Sequence, residues 1–311
     1  MNKGSAERNI LVICGPNASG KTRLAVALAQ KTGGEIISAD SRQVYRGMDI
    51  GTGKDLSEYA NAHSPVKYHL IDIADPSQIY TLYHYQRDCY AAIRDIWSRG
   101  IIPVLVGGTG LYIEAVLKGY EIDEVPEDRK FRQTLGNRPK EELAGMLKEI
   151  DAILYERTDC SSKKRIIRAL ERAYYTDSLA QERQRFAPPQ LKALILGVRW
   201  PRRELIGRID KRLETRLKEG MVDEVKRLLA SGIPRERFDL FGMEYRHVAR
   251  FIDGLVDYDT MVQQLRTDIH RLAKRQMTWF RGMQRRGIPI EWIERADIET
   301  AMAVLGKNVF T

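Results

Sequence analysis

The sequence has few cysteines, no long apolar run, and no internal repeat or low-complexity tract. Its three cysteines, Cys14, Cys89 and Cys160, are far apart and form no C-x-x-C pair, which argues against a disulfide framework or a zinc site. The longest apolar run before the first motif is Ile10–Cys14, far shorter than a signal sequence or membrane span requires. These absences predict a soluble cytoplasmic protein without a membrane partner.

The composition does provide enough apolar material for a core. The 311 residues are 43% hydrophobic and 30% charged, which excludes wholesale disorder and allows one large domain or two unequal ones. The formal net charge is +9; Lys and Arg number 13 against 11 acidic residues up to residue 120, and 38 against 31 afterwards. This basic excess suits a polyanion such as nucleic acid or a membrane surface, but a solvated basic surface also explains it.

Strand-like and helical patterns alternate in the first 120 residues, which predicts an α/β fold with a parallel sheet. The predicted strands are Ile10–Cys14, Glu35–Ala39 and Ile101–Val106, and the predicted helices are Thr22–Lys31 and Leu111–Leu117. Residues 123–189 resemble charged helices, Leu191–Val198 is a further predicted strand, and the pattern is helical from Pro201 to the end. We therefore predict a sheet domain from residues 1–122 and 190–311, with a helical insertion at residues 123–189.

A phosphate-binding loop follows the first predicted strand. It matches G-x-x-x-x-G-K-[ST] through the residues Gly15, Pro16, Asn17, Ala18, Ser19, Gly20, Lys21 and Thr22. In such a loop the backbone wraps a phosphate, Lys21 neutralises its outer oxygens, and the Thr22 hydroxyl can ligate Mg²⁺. The motif predicts a di- or triphosphate site in a P-loop NTPase-like fold. It does not distinguish ATP or GTP from another ligand.

A carboxylate and a glycine-rich turn follow two other predicted strands. Asp40 comes after the second strand, and the turn Gly107–Gly110, with Thr109, comes after the third. Because ligands bind at the carboxyl ends of strands in an open parallel sheet, we expect both to face the phosphate loop. Asp40 can accept a proton from a nucleophile or hold a metal-bound water. Its position is equally compatible with a helix N-cap.

Four separated blocks of this sequence resemble bacterial tRNA dimethylallyltransferases. In chain order they are Gly15–Thr22, Ser38–Thr52, Leu105–Tyr112 and Lys274–Arg281. The resemblance extends from about Ile10 to Gly282. It implies that the phosphate loop binds the diphosphate of dimethylallyl diphosphate with Mg²⁺, and that the helical insertion grips the anticodon stem-loop of tRNA.

The resemblance also implies roles for individual residues. Asp40 is the implied general base, and Lys21, Thr22 and Arg212 are the implied ligands of the diphosphate and metal. Arg212 is the second arginine of an R-I-x-x-R pattern beginning at Arg208, although its spacing alone is typical of a solvated helix face. The residues implied to contact tRNA are Asp40, Ser41, Arg42, Gln43, Thr109, Arg129, Tyr245, Arg246, Gln276 and Arg281.

This chain departs from the family pattern in two places. Asn17 stands where the family usually has threonine, which could alter the diphosphate contacts. The segment Phe241–Arg246, which includes Tyr245 and Arg246, replaces a more common I-G-Y-[RK], so that the glycine lies three residues before the tyrosine. The cysteine and histidine pattern of the C-terminal zinc finger in eukaryotic relatives does not occur here.

Two segments are predicted to be helices with basic faces. From Leu265 to Arg286, seven basic residues accompany one acid, Asp268, and the expected apolar stripe is Leu265, Ile269, Leu272, Trp279 and Met283. In the insertion, the expected basic face is Arg165, Arg168 and Arg172, opposite Ile167, Leu170 and Tyr174. A solvated face is the plainer interpretation, but the resemblance favours tRNA contacts by Lys164, Arg165, Arg168, Arg271 and Arg275. We expect Trp279 to be a core residue.

The sequence thus predicts a monomeric enzyme that transfers a dimethylallyl group to the exocyclic amine of the adenosine 3′ of the tRNA anticodon. A P-loop small-molecule or nucleotide kinase would share the loop and Asp40, but it would not explain the basic segments. A non-catalytic RNA-binding or NTP-switch protein would need no base at Asp40. An isopentenyltransferase acting on free adenine nucleotides would need neither the insertion nor the basic C-terminal half.

Overall fold

A computed structural model describes residues 6–60, 65–122, 125, 128–174 and 187–310. The chain divides into two compact units: Met1–Gly119 with Pro189–Thr311, and Tyr120–Pro188. The first unit is a parallel sheet flanked by helices, and the second is helical. The predicted fold class, an α/β P-loop-like domain with a small helical insertion, is confirmed.

The described residues form eight strands, numbered β1 to β8 in chain order. They are Ala6–Arg8, Ile10–Cys14, Glu35–Ser38, Tyr68–His69, Pro103–Gly107, Ala193–Arg199, Glu291–Glu294 and Asn308–Phe310. Six of them form a sheet in the order β4-β3-β5-β2-β6-β7, and every pairing in it is parallel. Strands β1 and β8 form a separate parallel pair.

The described residues also form twelve α-helices, numbered α1 to α12 in chain order. They are Lys21–Thr32, Leu82–Ser98, Gly110–Lys118, Arg129–Gly136, Lys140–Ile150, Ala152–Arg157, Lys163–Tyr174, Arg202–Lys218, Met221–Ala230, Met243–Ile252, Tyr258–Arg285 and Ile298–Leu305. Helices α4 to α7 belong to the helical unit, and the others belong to the α/β unit. No helix within the described ranges is both long and apolar enough to span a bilayer.

The central position of β2 in the sheet explains why the sequence of this strand is continuously apolar. All five of its residues are buried. Ile10 and Val12 pack in the cluster that contains residues of α2 and α3, whereas Leu11 and Ile13 pack with residues of α1 and α12. A parallel strand covered by helices on both faces needs apolar side chains at every position. The loop after β2 lies at the carboxyl end of this buried strand.

The expectation of helix from Pro201 to the end is wrong at two places. Strand β7 adds an edge to the main sheet by pairing with β6, and strand β8 pairs with β1. In β7 only Ile293 is fully buried, and two of the four residues are glutamates. So short a segment has a weak strand signal, and its conformation depends on main-chain pairing with β6.

Candidate active site

A cavity of about 670 Å³ lies at the carboxyl ends of β2, β3 and β5. The loops that follow these strands contribute Asn17, Asp40 and Gly108 to its wall. Helices α8, α10 and α11 contribute further residues, including Arg212 and Gln276. This is the position at which open parallel sheets bind ligands.

The phosphate loop has the conformation of an anion site. Ala18 and Gly20 have φ of 60° and 83°, which turns successive N–H groups towards one side. Helix α1 begins directly afterwards, with no side-chain cap and no acid in its first turn. The Ser19 hydroxyl is buried and has no hydrogen-bond partner among the described residues. The uncapped N–H groups at the start of α1 and this hydroxyl therefore fit a phosphate group.

Lys21 is a partly buried cation beside this loop. Its Nζ donates to the carbonyl of Pro16 at 3.4 Å. Burial lowers the pKa of Lys21 to about 8; the Asp40 charge raises this pKa, and the charges of Arg212 and Arg216 lower it. A cation held in this environment is stabilised when an anion binds next to it.

Asp40 lines the cavity together with Thr22. One carboxylate oxygen of Asp40 accepts a hydrogen bond from the Arg42 N–H at 2.9 Å. The described chain after Asp40 continues as turns, so the carboxylate caps no helix. The next residue, Ser41, donates its N–H to Thr109 Oγ1 at 3.1 Å, which ties the turn after β3 to the turn after β5.

Gln276 of α11 connects the phosphate loop to the turn after β5. Its Oε1 accepts from the Asn17 N–H at 2.9 Å, while its Nε2 donates to Asn17 Oδ1 at 3.1 Å and to the Gly108 carbonyl at 3.0 Å. A Cβ on Gly108 would lie 2.5 Å from this Nε2, so a larger residue there would displace the Gln276 amide. The departure at Asn17 is therefore satisfied within the protein, because its side chain pairs with Gln276.

The buried carboxylate of Glu224 holds a further wall of the cavity. It is 2% exposed and accepts hydrogen bonds from the N–H groups of Asp49, Ile50 and Gly51 at 2.7 to 2.9 Å. It also accepts from the Tyr245 hydroxyl at 2.7 Å. A Cβ on Gly51 would lie 2.6 Å from the Tyr245 ring. Tyr245, predicted to contact tRNA, thus uses its hydroxyl to fix this loop.

Most of the predicted site residues come together in this cavity. It is lined by Asn17, Lys21, Thr22, Asp40, Ser41, Arg42, Gln43, Thr109, Arg212, Tyr245, Arg246, Arg275 and Gln276. Arg271 and Arg281 lie on exposed positions of α11 outside the cavity lining. Arg129 begins α4, and its side chain lies outside the described residues. The tRNA contacts of all these residues stay predictions.

Several cavity residues were not predicted from the sequence to belong to the site. They are Gly51, Thr52, Gly53, Tyr59, Leu111, Arg216, Asp239, Phe241, Met243, Glu244, Asp268, Leu272 and Trp279. The expectation that Trp279 is a core residue is wrong, since it is 39% exposed and lines the cavity. It packs where a Cβ on Gly110 would overlap its ring. Trp279 lies three residues after Gln276 on α11, and residues with this spacing share a helix face. This spacing was the sequence signal that could have placed Trp279 at the site.

In the helical unit, helix α7 pairs its arginines with acids. The buried Glu171 accepts from Arg132 at 2.6 Å and from Arg168 at 2.9 Å. Arg168 also donates to the Val125 carbonyl at 2.7 Å, and the exposed Arg165 pairs with Asp159. Lys164 is exposed. The basic face of α7 therefore has two parts. Lys164 and Arg165 form an exposed part, and Arg168 forms a committed part, which is ion-paired with the buried Glu171.

The buried side of α7 differs slightly from the expected one. Ile166, Ala169 and Leu170 are buried, while Tyr174 is 58% exposed. Glu171, with its arginine partners, is part of this buried side, which lies about one residue from the expected one.

The residues at the α/β site fit a divalent metal shared with a bound diphosphate. The described part of the chain contains no group of three His, Cys, Asp or Glu side chains placed to hold a metal ion. Thr22 and Asp40 nevertheless line the same cavity as Lys21. Mg²⁺ typically takes one or two protein ligands, keeps several waters, and binds substrate phosphates.

Comparison with known proteins assigns the chain to a family. Residues 43–283 match the family described as IPP transferase, and residues 8–64 match isopentenyl transferase. The tRNA dimethylallyltransferase 2 of Pelobacter propionicus is 48% identical over 295 residues, covering 94% of this chain and 92% of that protein.

Solved structures give the same assignment. The full-length tRNA isopentenylpyrophosphate transferase of Bacillus halodurans has a TM-score of 0.68 at 32% identity, covering 96% of each chain. A eukaryotic dimethylallyltransferase acting on tRNA has a TM-score of 0.74 at 25% identity, covering 96% of this chain and 78% of that one. The chain belongs to the IPP transferase family.

Proposed function

We propose that this enzyme transfers a dimethylallyl group from dimethylallyl diphosphate to the exocyclic amine of the adenosine immediately 3′ of the tRNA anticodon. The observation that carries the proposal is one cavity in which an anion-binding loop, a carboxylate and several arginines converge. Family membership selects prenyl transfer to tRNA among the reactions that this arrangement supports.

The reaction joins the amine nitrogen to the allylic carbon while the bond from that carbon to the diphosphate oxygen breaks. The electron pair of the broken bond goes to the diphosphate, and the amine proton goes to Asp40. Lys21 and the N–H groups of the phosphate loop stabilise the charge that gathers on the leaving group. Arg212 lines the same cavity, where it is paired with Asp55. A bound Mg²⁺, with Thr22 as one ligand, would neutralise part of the diphosphate charge.

The arrangement above the phosphate loop favours a diphosphate with an apolar tail over a nucleoside triphosphate. Gln276 already accepts the Asn17 N–H, so that this first amide of the loop is not directed at a phosphate. The apolar side chains of Phe241, Met243 and Trp279 lie in the same cavity wall. They suit a five-carbon chain and a base leaving its stack. A kinase would instead need this space for a nucleoside triphosphate and for the molecule that accepts its phosphoryl group.

The proposed nucleic-acid partner is the anticodon stem-loop. An adenosine in a single-stranded loop can be splayed out to reach a deep cavity, which a paired base cannot do without opening its helix. Exposed arginines at positions 271, 275, 281 and 285 of α11 provide a basic surface next to the cavity residue Gln276. We expect the enzyme to act as a cytoplasmic monomer on this substrate.

Mass spectrometry of tRNA nucleosides tests the proposal. Unmodified tRNA is incubated with the enzyme, Mg²⁺ and dimethylallyl diphosphate, without any nucleoside triphosphate, and the expected product is an adenosine heavier by one dimethylallyl group. A parallel incubation supplies ATP with small-molecule acceptors. Phosphate transfer from ATP together with unprenylated tRNA would establish the kinase alternative instead.

A further inference from the structure

Three arginines on one face of α8 differ in what they bind. Arg208, Arg212 and Arg216 are spaced four residues apart, so they lie one above the other along the helix. Arg208 donates to the Ala18 carbonyl at 2.8 Å and stacks on the Trp200 ring, with its guanidinium carbon 4.3 Å from the ring centre. Arg208 therefore supports the phosphate loop from outside.

Arg212 is already neutralised. It forms an ion pair with Asp55 and donates to the Gly53 carbonyl at 3.3 Å. A guanidinium with a carboxylate partner must weaken or share that interaction to bind a second anion. The arginine that the R-I-x-x-R pattern singles out is therefore the less available of the two arginines that line the cavity.

Arg216 is the available one. It lines the cavity with Lys21, and no carboxylate within the described ranges lies at ion-pair distance from it. Its Nε is buried and has no hydrogen-bond partner in the described part of the chain. Burial lowers the pKa of Arg216 to about 10, and the Arg212 charge contributes to the same direction, so Arg216 is still protonated at neutral pH. The charges of Glu244 and Asp55 raise the pKa of Arg216 in the opposite direction, and they act without forming an ion pair with it.

Gly53 shows that the loop makes room for this guanidinium. A Cβ on Gly53 would overlap the Arg216 guanidinium and would lie 2.8 Å from Arg212 Nη2. Gly53 also has φ of 61°, a conformation that disfavours other residues. The loop is held close to both arginines because Glu224 fixes its preceding residues. The unpaired guanidinium is thus positioned by the fold.

We propose that Arg216 is a diphosphate-binding residue, which takes the leaving group of the prenyl donor together with Lys21, while the Arg212 and Asp55 pair shapes the wall beside it. The proposal rests on the proposed function and adds a binding residue to it. As the carbon–oxygen bond breaks and its electron pair passes to the diphosphate, Arg216 donates N–H groups to the oxygens that gain charge. A planar guanidinium suits two such oxygens at once.

The test measures equilibrium binding of inorganic diphosphate and of dimethylallyl diphosphate, each with Mg²⁺, by calorimetry. Arg216→Met keeps the length of the side chain and removes the charge, so we expect the dissociation constant for both ligands to rise roughly 10- to 100-fold. Arg216→Lys restores the charge without the fork and should recover part of the loss. Lys218→Met removes one positive charge from an exposed position of the same helix and should leave binding unchanged.

Thermal unfolding separates a binding role from a structural one. A partly buried charge without a partner destabilises the free protein, so Arg216→Met should unfold at the same or a higher temperature than wild type without ligand. The same variant should lose most of the stabilisation that diphosphate gives the wild type. A lower unfolding temperature without ligand, combined with normal diphosphate binding, would show that Arg216 serves the fold and would overturn the proposal.

The tRNA arm distinguishes the remaining outcomes. Weaker tRNA binding by Arg216→Met, with unchanged diphosphate binding, would assign the arginine to the nucleic acid and would also overturn the proposal. If the wild type binds dimethylallyl diphosphate and prenylates tRNA while Arg216→Met binds the donor equally well, the inference fails and the proposed function stands. If the wild type binds no diphosphate at all, the proposed function fails with it.

Discussion

The helical unit and the cavity of the α/β unit differ in how their charged groups are partnered. In the helical unit, the buried Glu171 is matched by Arg132 and Arg168. In the α/β unit, Lys21 and Arg216 line a cavity and form no ion pair with any carboxylate within the described ranges. The two patterns respond differently to substitution: removing one partner of a matched buried pair leaves an uncompensated charge and destabilises the fold, whereas a charge without a partner itself opposes folding.

This difference indicates where a ligand completes the structure. Cations without carboxylate partners, the unpartnered Ser19 hydroxyl and an uncapped helix N-terminus all lie around one loop. A single multiply charged anion can pair with these cations and accept hydrogen bonds from the hydroxyl and the helix N-terminus. The helical unit has its buried acid satisfied from within and presents charge at its surface. We therefore expect substitutions in the first unit to change ligand binding or turnover, and substitutions in the second to change stability or the salt dependence of tRNA binding.

The largest expected effect in the α/β unit comes from Asp40→Asn. The amide preserves the shape and the hydrogen bond with the Arg42 N–H but cannot take the proton of the amine. The rate of a single turnover should fall roughly 10²- to 10⁴-fold, with little change in the binding of either substrate. Asp223→Asn, at an exposed position of α9, is the control. A variant that retained more than about half of the wild-type rate would leave Asp40 a turn residue only.

Two buried carboxylates, one in each unit, sharpen the comparison. Glu171→Gln leaves two arginines without their partner and should destabilise the protein by about 3–5 kcal/mol, without altering diphosphate binding. Glu224→Gln disturbs the loop that ends at Gly53, so it should raise the KM for dimethylallyl diphosphate about tenfold while costing about 1–3 kcal/mol of stability. Denaturant unfolding and steady-state kinetics measure both. Equal effects of the two variants on KM would contradict the division between the units.

The pH dependence of diphosphate binding tests whether Lys21 is an unmatched cation. Its pKa in the free protein is about 8, so Lys21 loses its charge as the pH rises through that value. The dissociation constant for diphosphate should then rise by up to about tenfold per pH unit above pH 8, with proton uptake on binding. Lys21→Met should bind weakly at every pH and show no such rise.

The same pKa has a consequence for stability without ligand. The unfolded chain has the ordinary lysine pKa of 10.5, so between about pH 8 and 10.5 the unfolded state holds more protons at this group than the folded state. The contribution of Lys21 to the free energy of unfolding therefore increases with pH across this window. Lys21→Met should lack this increase, which chemical denaturation at several pH values would detect.

The parts of the molecule that sequence reasoning predicted are those with local signals. The strand Ile10–Cys14, the glycine-rich loop and helix α1 each follow from periodicity and a short motif, and their bounds agree closely with the structure. Asp40 and Thr109 were expected to face the loop because parallel strands end at one edge, and both line the cavity. The order of the strands within the sheet had no such local signal.

The parts that were missed depend on contacts between distant segments. Strand β7 exists through its pairing with β6, about 90 residues earlier in the chain. Arg216 has the same helical spacing as Arg208 and Arg212, and only the positions of Ala18, Asp55 and Gly53 show that the three arginines differ. Likewise, the contact between Trp279 and Gly110 depends on the close approach of α11 to the start of α3, which apolar periodicity cannot report.

The smallest expected effects concern tRNA binding by exposed basic residues. Lys164 and Arg165 are exposed in the helical unit, and Arg271 and Arg275 are exposed on α11. Each single change to Gln should weaken tRNA binding severalfold and flatten the log–log salt dependence by about one unit, because each phosphate contact releases condensed counterions. Filter binding or fluorescence anisotropy across a range of salt concentrations measures both quantities.

Arg168→Gln is the matched comparison for Arg165→Gln, because the two residues lie on the same helix but only Arg168 is bound to the buried Glu171. We expect Arg168→Gln to lower the stability of the protein and to leave the salt slope near that of wild type. Arg165→Gln should do the reverse, since its surface pair with Asp159 contributes little to stability. If Arg168→Gln flattened the salt slope as much as Arg165→Gln, the ion pair between Arg168 and Glu171 would have to break so that Arg168 could contact a tRNA phosphate. The division of α7 into an exposed and a committed part would then be wrong.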